Sequence, residues 1–376
     1  MYFPPTALSA DELELRSEVR GFLAENSERS DDRWTDFGHR ADIGFSRLLA
    51  ERGWVGMAIP RQYGGHGRTA VERFVVVTEL LAAGAPVSAH WVADRQSAPS
   101  IVKFGSEEQK QRLLPRIAHA DCTFCIGMSE PDSGSDLASI RSSARKVAGG
   151  WQLNGTKVWT SGAHTADYAI VLCRTAPMTD NRHTGLSQLL VDLKSTGVQI
   201  NPIISLDGSH HFNEVVFDDV FVADQDLLGE PGDGWRQVNS ELAYERSGPD
   251  RWLSTYGLFR ALLRERLVDE SDATSNAIGR ITARYRTVYN LSLSVAREID
   301  RGGAPAAEAA LVKDLGTVFE KQVAETIRDL TAGQPGDTSG TTRDLLPTTI
   351  LTLPALTIRG GTTEILRSVA AKELTR

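Results

Sequence analysis

The stretches 128-MSEPDSGSD-136 and 154-NGTKVWTSG-162 decide the fold of this chain. Both combine glycines and small hydroxyl side chains beside a β-prone segment. Such residues let backbone N–H groups approach a phosphate or an electron-rich ring closely, and Trp159 offers a flat face for stacking. Taken alone, the residues leave two interpretations open: an anion or ring site, and a polar turn beside a core tryptophan.

The sequence around these stretches is typical of a sheet. Short β-prone segments broken by turns occupy residues 123–128, 151–153, 157–160, 168–174, 186–193 and 213–222. The dipeptide Asn154-Gly155 predicts a hairpin between two of them, because both residues tolerate positive φ. We therefore expect a middle antiparallel β domain over residues 121–228.

Helices are predicted on both sides of this domain. Ser9 stands three residues before Glu12 in a capping-box pattern, ahead of apolar residues at helical spacing. Further helical segments lie at 42–52, 70–83, 107–118, 235–244, 252–267, 277–299, 305–332 and 363–374. The sequence thus predicts an α+β multidomain protein, with an N-terminal helical domain over residues 1–120 and a C-terminal helical domain over residues 229–376.

The composition is that of an ordinary globular protein. The chain has 376 residues, with 41 Lys and Arg against 49 Asp and Glu, a net charge of −8 and 41% hydrophobic residues. This balance excludes a disordered or fibrous chain, and without a Lys/Arg block we expect no nucleic-acid partner. No apolar run reaches the about 20 residues of a membrane-spanning helix, so we expect no membrane partner and a cytoplasmic location.

The three cysteines, Cys122, Cys125 and Cys173, are too few for a disulfide framework. Cys122 and Cys125 form a CxxC pair with His119 three residues before it, but no second Cys or His pair follows at zinc-ligand spacing. We therefore expect half-buried strand thiols rather than a metal or redox site.

Four further segments complete a family pattern. They read GWVGMAIPRQYGGHG at 53–67, GSEEQK at 105–110, LGEPGDGW at 228–235 and GGTTEI at 360–365. With them, the chain resembles the acyl-CoA dehydrogenases from about residue 8 to residue 374. The resemblance implies a C-terminal four-helix bundle, FAD as the cofactor, α,β-dehydrogenation of an acyl-CoA thioester to the enoyl-CoA, and an electron-acceptor flavoprotein as a partner.

The resemblance also implies the cofactor and substrate contacts. The residues that match the family's cofactor contacts are Ile126, Met128, Ser129, Gly134, Ser135, Trp159, Thr160, Ser161, Thr362 and Glu364. Among them, Ser129 falls near the pyrimidine edge of the flavin, and Ser161 resembles the hydroxyl that bonds flavin N5. The implied substrate contacts are Ser135 near the CoA arm, Arg246, and the backbone N–H of Gly360 toward the thioester oxygen.

The general base departs from one family pattern and fits another. Many relatives carry the base as the Glu of a Glu-Gly-Thr tripeptide, where this chain reads Gly-Gly-Thr from Gly360. Isovaleryl- and long-chain-type enzymes carry it on an earlier helix, one residue before an Arg, and here Glu245 precedes Arg246. We therefore predict that Glu245 is the base rather than a solvated helix residue. If that helix continued to Pro249, the proline would bend it beside Glu245 and widen the acyl pocket.

The adenine end of the flavin is the second departure. The family's Arg-x-x-Phe-Gly segment has no counterpart where residues 267–276 lie, and residues 333–340 match its later glycine-rich segment poorly. Since both segments serve the FAD of a neighbouring subunit, the resemblance implies a paralogous partner subunit, as in the α2β2 enzymes of actinobacterial steroid side-chain breakdown. A bulky or steroid side-chain acyl group is the first expectation, ahead of branched short chains and long fatty chains.

Two other functions stay open on the same residues. A non-catalytic subunit that completes a partner's FAD site would explain Gly360 and the missing adenine segments. A flavin oxidase or monooxygenase is the other, because a fold does not fix a function. Loss of substrate-driven flavin reduction in Glu245→Gln separates the dehydrogenase from both.

Overall fold

Helices fill the N-terminal and C-terminal parts of the sequence and a sheet fills the middle, which confirms the predicted α+β class. The computed structural model describes residues 1–31, 40–265, 271–332 and 340–374. The chain divides into two units, one of Met1–Phe37, Thr69–Pro86 and Ala243–Arg376, the other of Gly38–Arg68 and Val87–Leu242. The three-domain division of the sequence, at residues 1–120, 121–228 and 229–376, stays a prediction.

The helices are numbered in chain order. They are α1 (Ala10–Glu25), α2 (Ile43–Glu51), α3 (Ala70–Ala82), α4 (Ser88–Val92), α5 (Ala98–Phe104), α6 (Glu107–Ala118), α7 (Gly234–Glu245), α8 (Tyr256–Glu265), α9 (Asp272–Asp300), α10 (Ala306–Thr331), α11 (Thr341–Ile358) and α12 (Thr363–Leu374). A π-helical segment, Ala93–Ser97, joins α4 to α5. Among the helices that the structure describes, none has both the length and the apolar composition needed to cross a membrane.

Capping boxes fix the starts of the predicted helices. At α1, the backbone N–H of Glu12 donates to Ser9 Oγ at 3.3 Å, and that of Ser9 donates to the Glu12 carboxylate at 2.8 Å. Thr69 and Ser106 start α3 and α6 in the same way. Each box satisfies N–H groups that a helix leaves without an internal partner, so the sequence pattern is enough to set these starts.

The first unit is a set of packed helices. Helix α1 packs on α3, α3 packs on α9, and α10 packs against α9, α11 and α12. Its core includes Tyr285, whose ring lies edge-on to Phe319 with the ring centroids 4.5 Å apart. The predicted helical C-terminal part is therefore present.

The second unit holds the sheet, with α2 and α4–α6. Its strands are β1 (Phe124–Gly127), β2 (Ser143–Val147), β3 (Gly150–Ser161), β4 (Tyr168–Arg174), β5 (Leu186–Asp192), β6 (Val198–Ile204), β7 (His210–Ala223) and β8 (Leu227–Leu228). The order is β6-β7-β3-β2-β4-β5-β8, and β1 pairs with β4. The pairs are antiparallel except β1 with β4 and a single residue pair between β2 and β4. The sheet core is lined by Leu153, Val171, Leu189 and Val215.

The predicted hairpin at Asn154-Gly155 is wrong. Strand β3 runs unbroken through both residues, and the register of β3 on β7 shifts between Leu153 and Gly155. Gly155 has φ +145°, so the glycine serves a β-bulge rather than a turn. The side chain of Asn154 donates to Asp219 Oδ1 at 2.8 Å and accepts from its backbone N–H at 2.9 Å, which holds the bulge against β7.

The cysteines are more deeply buried than the sequence indicated. Cys122, Cys125 and Cys173 are free thiols with at most 1% of their surface exposed. Burial raises the pKa of Cys122 to about 11 and that of Cys125 and Cys173 to about 12, so all three are protonated and unreactive near neutral pH. Within the described ranges, no group of three or more His, Cys, Asp or Glu side chains is placed to hold a metal ion.

Candidate functional site

A second bulge in β3 presents Trp159 to solvent. The register of β3 on β7 shifts again between Lys157 and Thr160, and Trp159 between them has φ +59°. A left-handed backbone is costly for a bulky residue, and such strained residues are enriched at functional sites. The indole is 57% exposed and lies edge-on to the Phe212 ring, with centroids 5.8 Å apart. This geometry excludes the core tryptophan that the sequence left open, and it offers the ring to a ligand.

Thr160 and Ser161 follow at the end of the same strand. Thr160 is buried, and its Oγ1 has no hydrogen-bond partner among the residues that the structure describes. Its carbonyl accepts from the buried Asn213 amide at 3.0 Å, which fixes the backbone at this point. Ser161 is half-buried. A buried hydroxyl without a partner costs free energy, so an orphan beside an exposed aromatic ring fits a bound polar group.

The segment after β1 lies against this part of β3. The backbone N–H of Val158 donates to the Ser129 carbonyl at 2.9 Å, and Lys157 Nζ donates to the Met128 carbonyl at 3.0 Å. Ile126 lies within β1 and is half-buried. The structure thus places Ile126, Met128 and Ser129 beside the strand that carries Trp159, Thr160 and Ser161.

Farther along that segment, the chain turns outward. Gly134 and Ser135 are exposed, and a Cβ added at Gly134 would have no described atom within 4 Å. The turn is held by backbone bonds in both directions between Glu130 and Ser133, at 2.8 and 3.1 Å. The two residues predicted to contact the cofactor or CoA are therefore accessible on the described surface of the second unit.

Two residues that sequence reasoning missed hold this segment in place. Glu130 and Lys157 form a buried ion pair, with Lys157 Nζ 2.8 Å from Glu130 Oε1. Burial raises the pKa of the Glu130 carboxyl, but Lys157 and the backbone N–H groups of Arg141 and Ser142 outweigh burial and lower it, so the carboxylate is ionised. The sequence signal that could have indicated this pair is the presence of opposite charges in the two polar stretches, Glu130 in one and Lys157 in the other.

In the first unit, Gly360 lies against cations. Gly360 and Gly361 have φ +67° and +101°, and the Gly360 carbonyl accepts from Arg246 Nε at 3.3 Å. A Cβ at Gly360 would lie 3.1 Å from the guanidinium carbon of Arg251, which is 2% exposed. The position to which the family resemblance assigns an acidic side chain thus has a left-handed backbone and is bordered by a buried arginine.

A buried lysine supports the same turn. Lys313 Nζ, on α10, donates to the carbonyls of Thr357 at 3.0 Å and Gly361 at 2.9 Å. Burial, with the nearby positive charges of Arg251 and Arg359, lowers the pKa of Lys313 to about 7. The turn between α11 and α12 is therefore tied to α10 by a buried lysine whose charged form is disfavoured by burial.

The remaining predicted residues flank this turn. Thr362 Oγ1 accepts from the backbone N–H of Ile365 at 3.4 Å, close to the start of α12, and Glu364 is exposed in its first turn. Glu245 is the last residue of α7, and its side chain lies outside the described residues. The helix does not continue to Pro249: Gly248 is extended, and a 3₁₀ turn, Pro249–Arg251, follows, so the proline ends the helix instead of bending it.

The segments that would serve a neighbour's adenine are mostly outside the described residues. Residues 266–270 and 333–339 are not described, and the described chain resumes at Ser271 and Gly340. The expectation about the adenine end thus rests on the sequence.

Models of one protein family match successive parts of the chain. The family models that match are the acyl-CoA dehydrogenase N-terminal domain at residues 9–121, the acyl-CoA dehydrogenase middle domain at residues 125–220, and the acyl-CoA dehydrogenase C-terminal domain at residues 232–375. Together they cover most of the sequence.

Individual relatives and solved structures are also similar. The chain is 38% identical over 241 residues to the acyl-CoA dehydrogenase IpdE1 of Mycobacterium tuberculosis (strain ATCC 25618 / H37Rv), and that match covers 62% of each protein, less than two thirds of the relative. The structure called the Tcur3481-Tcur3483 steroid ACAD is 26% identical, with a TM-score of 0.86 over 98% of both chains. The ChsE4-ChsE5 complex from Mycobacterium tuberculosis contains a chain that is 26% identical, with a TM-score of 0.81 over 98% of both chains.

Proposed function

The chain belongs to the acyl-CoA dehydrogenase family, and on that premise we propose that it dehydrogenates an acyl-CoA thioester to the enoyl-CoA, with FAD as cofactor and Glu245 as base. One observation carries the choice of base. Gly360 supplies no acid at the usual position, and Arg251 borders the space where one would begin. Glu245, one residue before Arg246, is then the carboxylate that matches the family's other base position.

The residues on β3 and after β1 fit a flavin. Trp159 is exposed on a left-handed backbone, and the buried Thr160 Oγ1 lacks a partner among the described residues. By the family pattern, Met128, Ser129 and Ser161 complete the set that would hold the ring. FAD, when bound, supplies the two-electron acceptor for the hydride that leaves the β-carbon.

The chain's own residues would manage the proton and the developing charge. The Glu245 carboxylate takes the proton from the α-carbon, and the electron pair of that C–H bond forms the new double bond as the β C–H bond breaks. A positioned base of this kind contributes typically ~10²–10⁴-fold to the rate. The backbone N–H of Gly360 binds the thioester oxygen, where negative charge develops, and such a donor needs no side chain.

The proposals for the acyl group and for the partner subunit draw on the sequence and on similar proteins. We propose a bulky or steroid side-chain acyl group, which is supported by the similarity to the steroid ACAD. A paralogous subunit in an α2β2 assembly is supported by the missing adenine segments and by the similarity to a chain of the ChsE4-ChsE5 complex. A flavoprotein electron carrier would reoxidise the enzyme.

Anaerobic mixing with acyl-CoA thioesters tests this function. The flavin-loaded protein, co-expressed with a paralogous subunit, is mixed with a steroid that carries a short acyl-CoA side chain, isovaleryl-CoA and palmitoyl-CoA in turn. We expect flavin bleaching with the steroid thioester and a product two hydrogens lighter. No bleaching with any thioester would favour the non-catalytic subunit, and rapid reoxidation of the bleached enzyme by air would favour an oxidase or monooxygenase.

A further inference from the structure

We propose that the Glu130–Lys157 ion pair is a positioning device, which locks together the two segments of the β domain that hold the flavin ring. The proposal rests on the proposed function to the extent that FAD is the ligand of those segments. It concerns residues 128–142, which follow β1, and residues 157–161 of β3. Neither Glu130 nor Lys157 is among the predicted contacts, so the pair would act through its neighbours.

The pair is buried, and both charged groups form hydrogen bonds beyond the one that joins them. The side chains of Lys157 and Glu130 are 0% and 8% exposed. Lys157 Nζ donates to Glu130 Oε1 and to the Met128 carbonyl, at 2.8 and 3.0 Å. The Glu130 carboxylate also accepts from the backbone N–H groups of Arg141 at 2.6 Å and Ser142 at 2.9 Å. Such a network holds both side chains in one geometry, because moving either of them would leave the charge of the other buried and unpaired.

The sequence around the pair makes room for it. Lys157 passes beside Gly127, where an added Cβ would lie 3.1 Å from Lys157 Cγ. That distance is shorter than an ordinary van der Waals contact, so a side chain at Gly127 would displace the aliphatic part of Lys157. Glycine at the end of β1 therefore lets the ammonium group reach the turn that follows.

The pair joins both halves of the proposed ring site. On one side, Lys157 holds the start of the segment at the Met128 carbonyl, and Glu130 holds its end at the backbone N–H groups of Arg141 and Ser142. On the other side, Lys157 lies two residues before Trp159, whose left-handed backbone belongs to the bulge. A movement of Lys157 would shift the bulge and the turn together, whereas a change at an exposed residue of the sheet would shift neither.

A double substitution separates positioning from simple stability. Replacing one partner leaves an unpaired buried charge, so Glu130→Gln and Lys157→Met alone should destabilise the protein. Replacing both removes the two charges together, so neither is left buried without its partner. The variant Glu130→Gln/Lys157→Met should therefore regain much of the thermal stability of the apoprotein while losing the defined arrangement of the ring site.

The experiment compares FAD binding with unfolding in the co-expressed protein. FAD is removed and titrated back, and Kd, the visible circular dichroism of the flavin, its midpoint potential and the melting temperature of the apoprotein are measured. We expect the double variant to bind FAD about tenfold or more weakly, with altered circular dichroism and potential, at a melting temperature closer to wild type than either single variant. The matched control is Lys146→Met on β2 of the same sheet, which removes an exposed ion pair with Asp224 and should leave FAD binding unchanged.

Each result decides the matter. A double variant with wild-type Kd, circular dichroism and potential would overturn the proposal. If the double variant does not fold, Lys157→Arg serves instead, because it keeps the charge but changes its shape; an altered flavin spectrum and potential supports the proposal, and unchanged values overturn it. Failure of wild type to bind FAD would instead contradict the proposed function.

Discussion

At the scale of single residues, Gly360 is the position on which the proposed choice of base depends. The family resemblance implies that an acid would usually stand here, and the backbone and surroundings of Gly360 do not suit one. Its φ is +67°, and the buried Arg251 guanidinium lies 3.1 to 3.3 Å from where a Cβ would be. A glutamate placed there would be strained, and its carboxylate would have an arginine as its nearest partner.

We therefore predict that Gly360→Glu does not restore activity to Glu245→Gln. The new carboxylate would pair with Arg251, which would lower its pKa and its basicity. The rate of anaerobic flavin reduction by acyl-CoA should stay at the level of Glu245→Gln, about 10²-fold or more below wild type. A double variant that recovers to within about tenfold of wild type would show that the position still accepts a working base.

Lys313 gives a residue-scale prediction about pH. Its pKa of about 7 in the folded protein is far below the ordinary 10.5, chiefly because of burial. At a pH between about 7 and 10.5, the unfolded chain binds more protons at this lysine than the folded chain does. The free energy of unfolding therefore rises with pH in that range. Below pH 7 both states are protonated, and the folded state bears the full cost of the buried charge.

Urea unfolding at pH 6 and pH 8.5 checks this contribution. Wild type should gain more stability over that interval than Lys313→Met, which has no ammonium to discharge. Lys321→Met serves as the control, because Lys321 is an exposed lysine on the same helix. An equal gain in wild type and Lys313→Met would mean that Lys313 keeps an ordinary pKa.

At the scale of elements, β3 and its two bulges determine how Trp159 is presented to solvent. A straight strand would alternate its side chains between the faces, whereas the bulges re-aim Trp159 outward after the register shift. Gly155 permits the first bulge: at φ +145° an added Cβ would lie 2.2 Å from Ser142 Oγ and 2.7 Å from Ser142 Cα. The strand can take this path only with glycine at that position.

Gly155→Ala should therefore destabilise the protein by about 1–3 kcal/mol. The expected cause is backbone strain together with displacement of Ser142, and the measurement is the free energy of unfolding in urea. Gly279→Ala is the matched control, because Gly279 lies within α9 and an added Cβ there would have no described atom within 4 Å. This substitution should leave the stability of the protein unchanged or raise it slightly. A Gly155→Ala protein as stable as wild type would show that the bulge can relax.

Local signals predicted much of the fold. Helix α6 matches the predicted residues 107–118, where a capping box at Ser106 sets its start. Helix α11 was not predicted, because Pro347 and Pro354 count against a helix; its packing on α8 and α10 overrides that preference. The short strands β2 and β6 were also missed, since neither has a strong apolar run.

The site was predictable only in part. Trp159 and Thr160 stand in a sequence motif, so they could be predicted as candidate cofactor contacts from the sequence. The Glu130–Lys157 pair joins residues 27 positions apart, and no local pattern shows that the two side chains meet. The contact of Arg251 with Gly360 is of the same kind, because it depends on how separate elements pack.

At the scale of the whole molecule, the proposed active assembly contains two kinds of subunit. We predict that co-expression with a neighbouring paralogue yields an α2β2 complex with one FAD per heterodimer. The reason is that residues 267–276 and 333–340 do not match the family pattern for segments that bind a neighbour's adenine, and a paralogue could supply such segments. Native mass and flavin absorbance give the count, and a homotetramer with a full complement of FAD would contradict it.

The central claim is that Glu245 takes the α-proton, and the rate of flavin reduction in a single anaerobic turnover tests it most directly. The co-expressed complex carries wild-type Glu245, Glu245→Gln, or the control Glu325→Gln at an exposed carboxylate on α10. We predict that Glu245→Gln slows reduction by about 10²–10⁴-fold with unchanged FAD content, while Glu325→Gln reacts like wild type. A Glu245→Gln complex that is reduced at the wild-type rate would contradict the account.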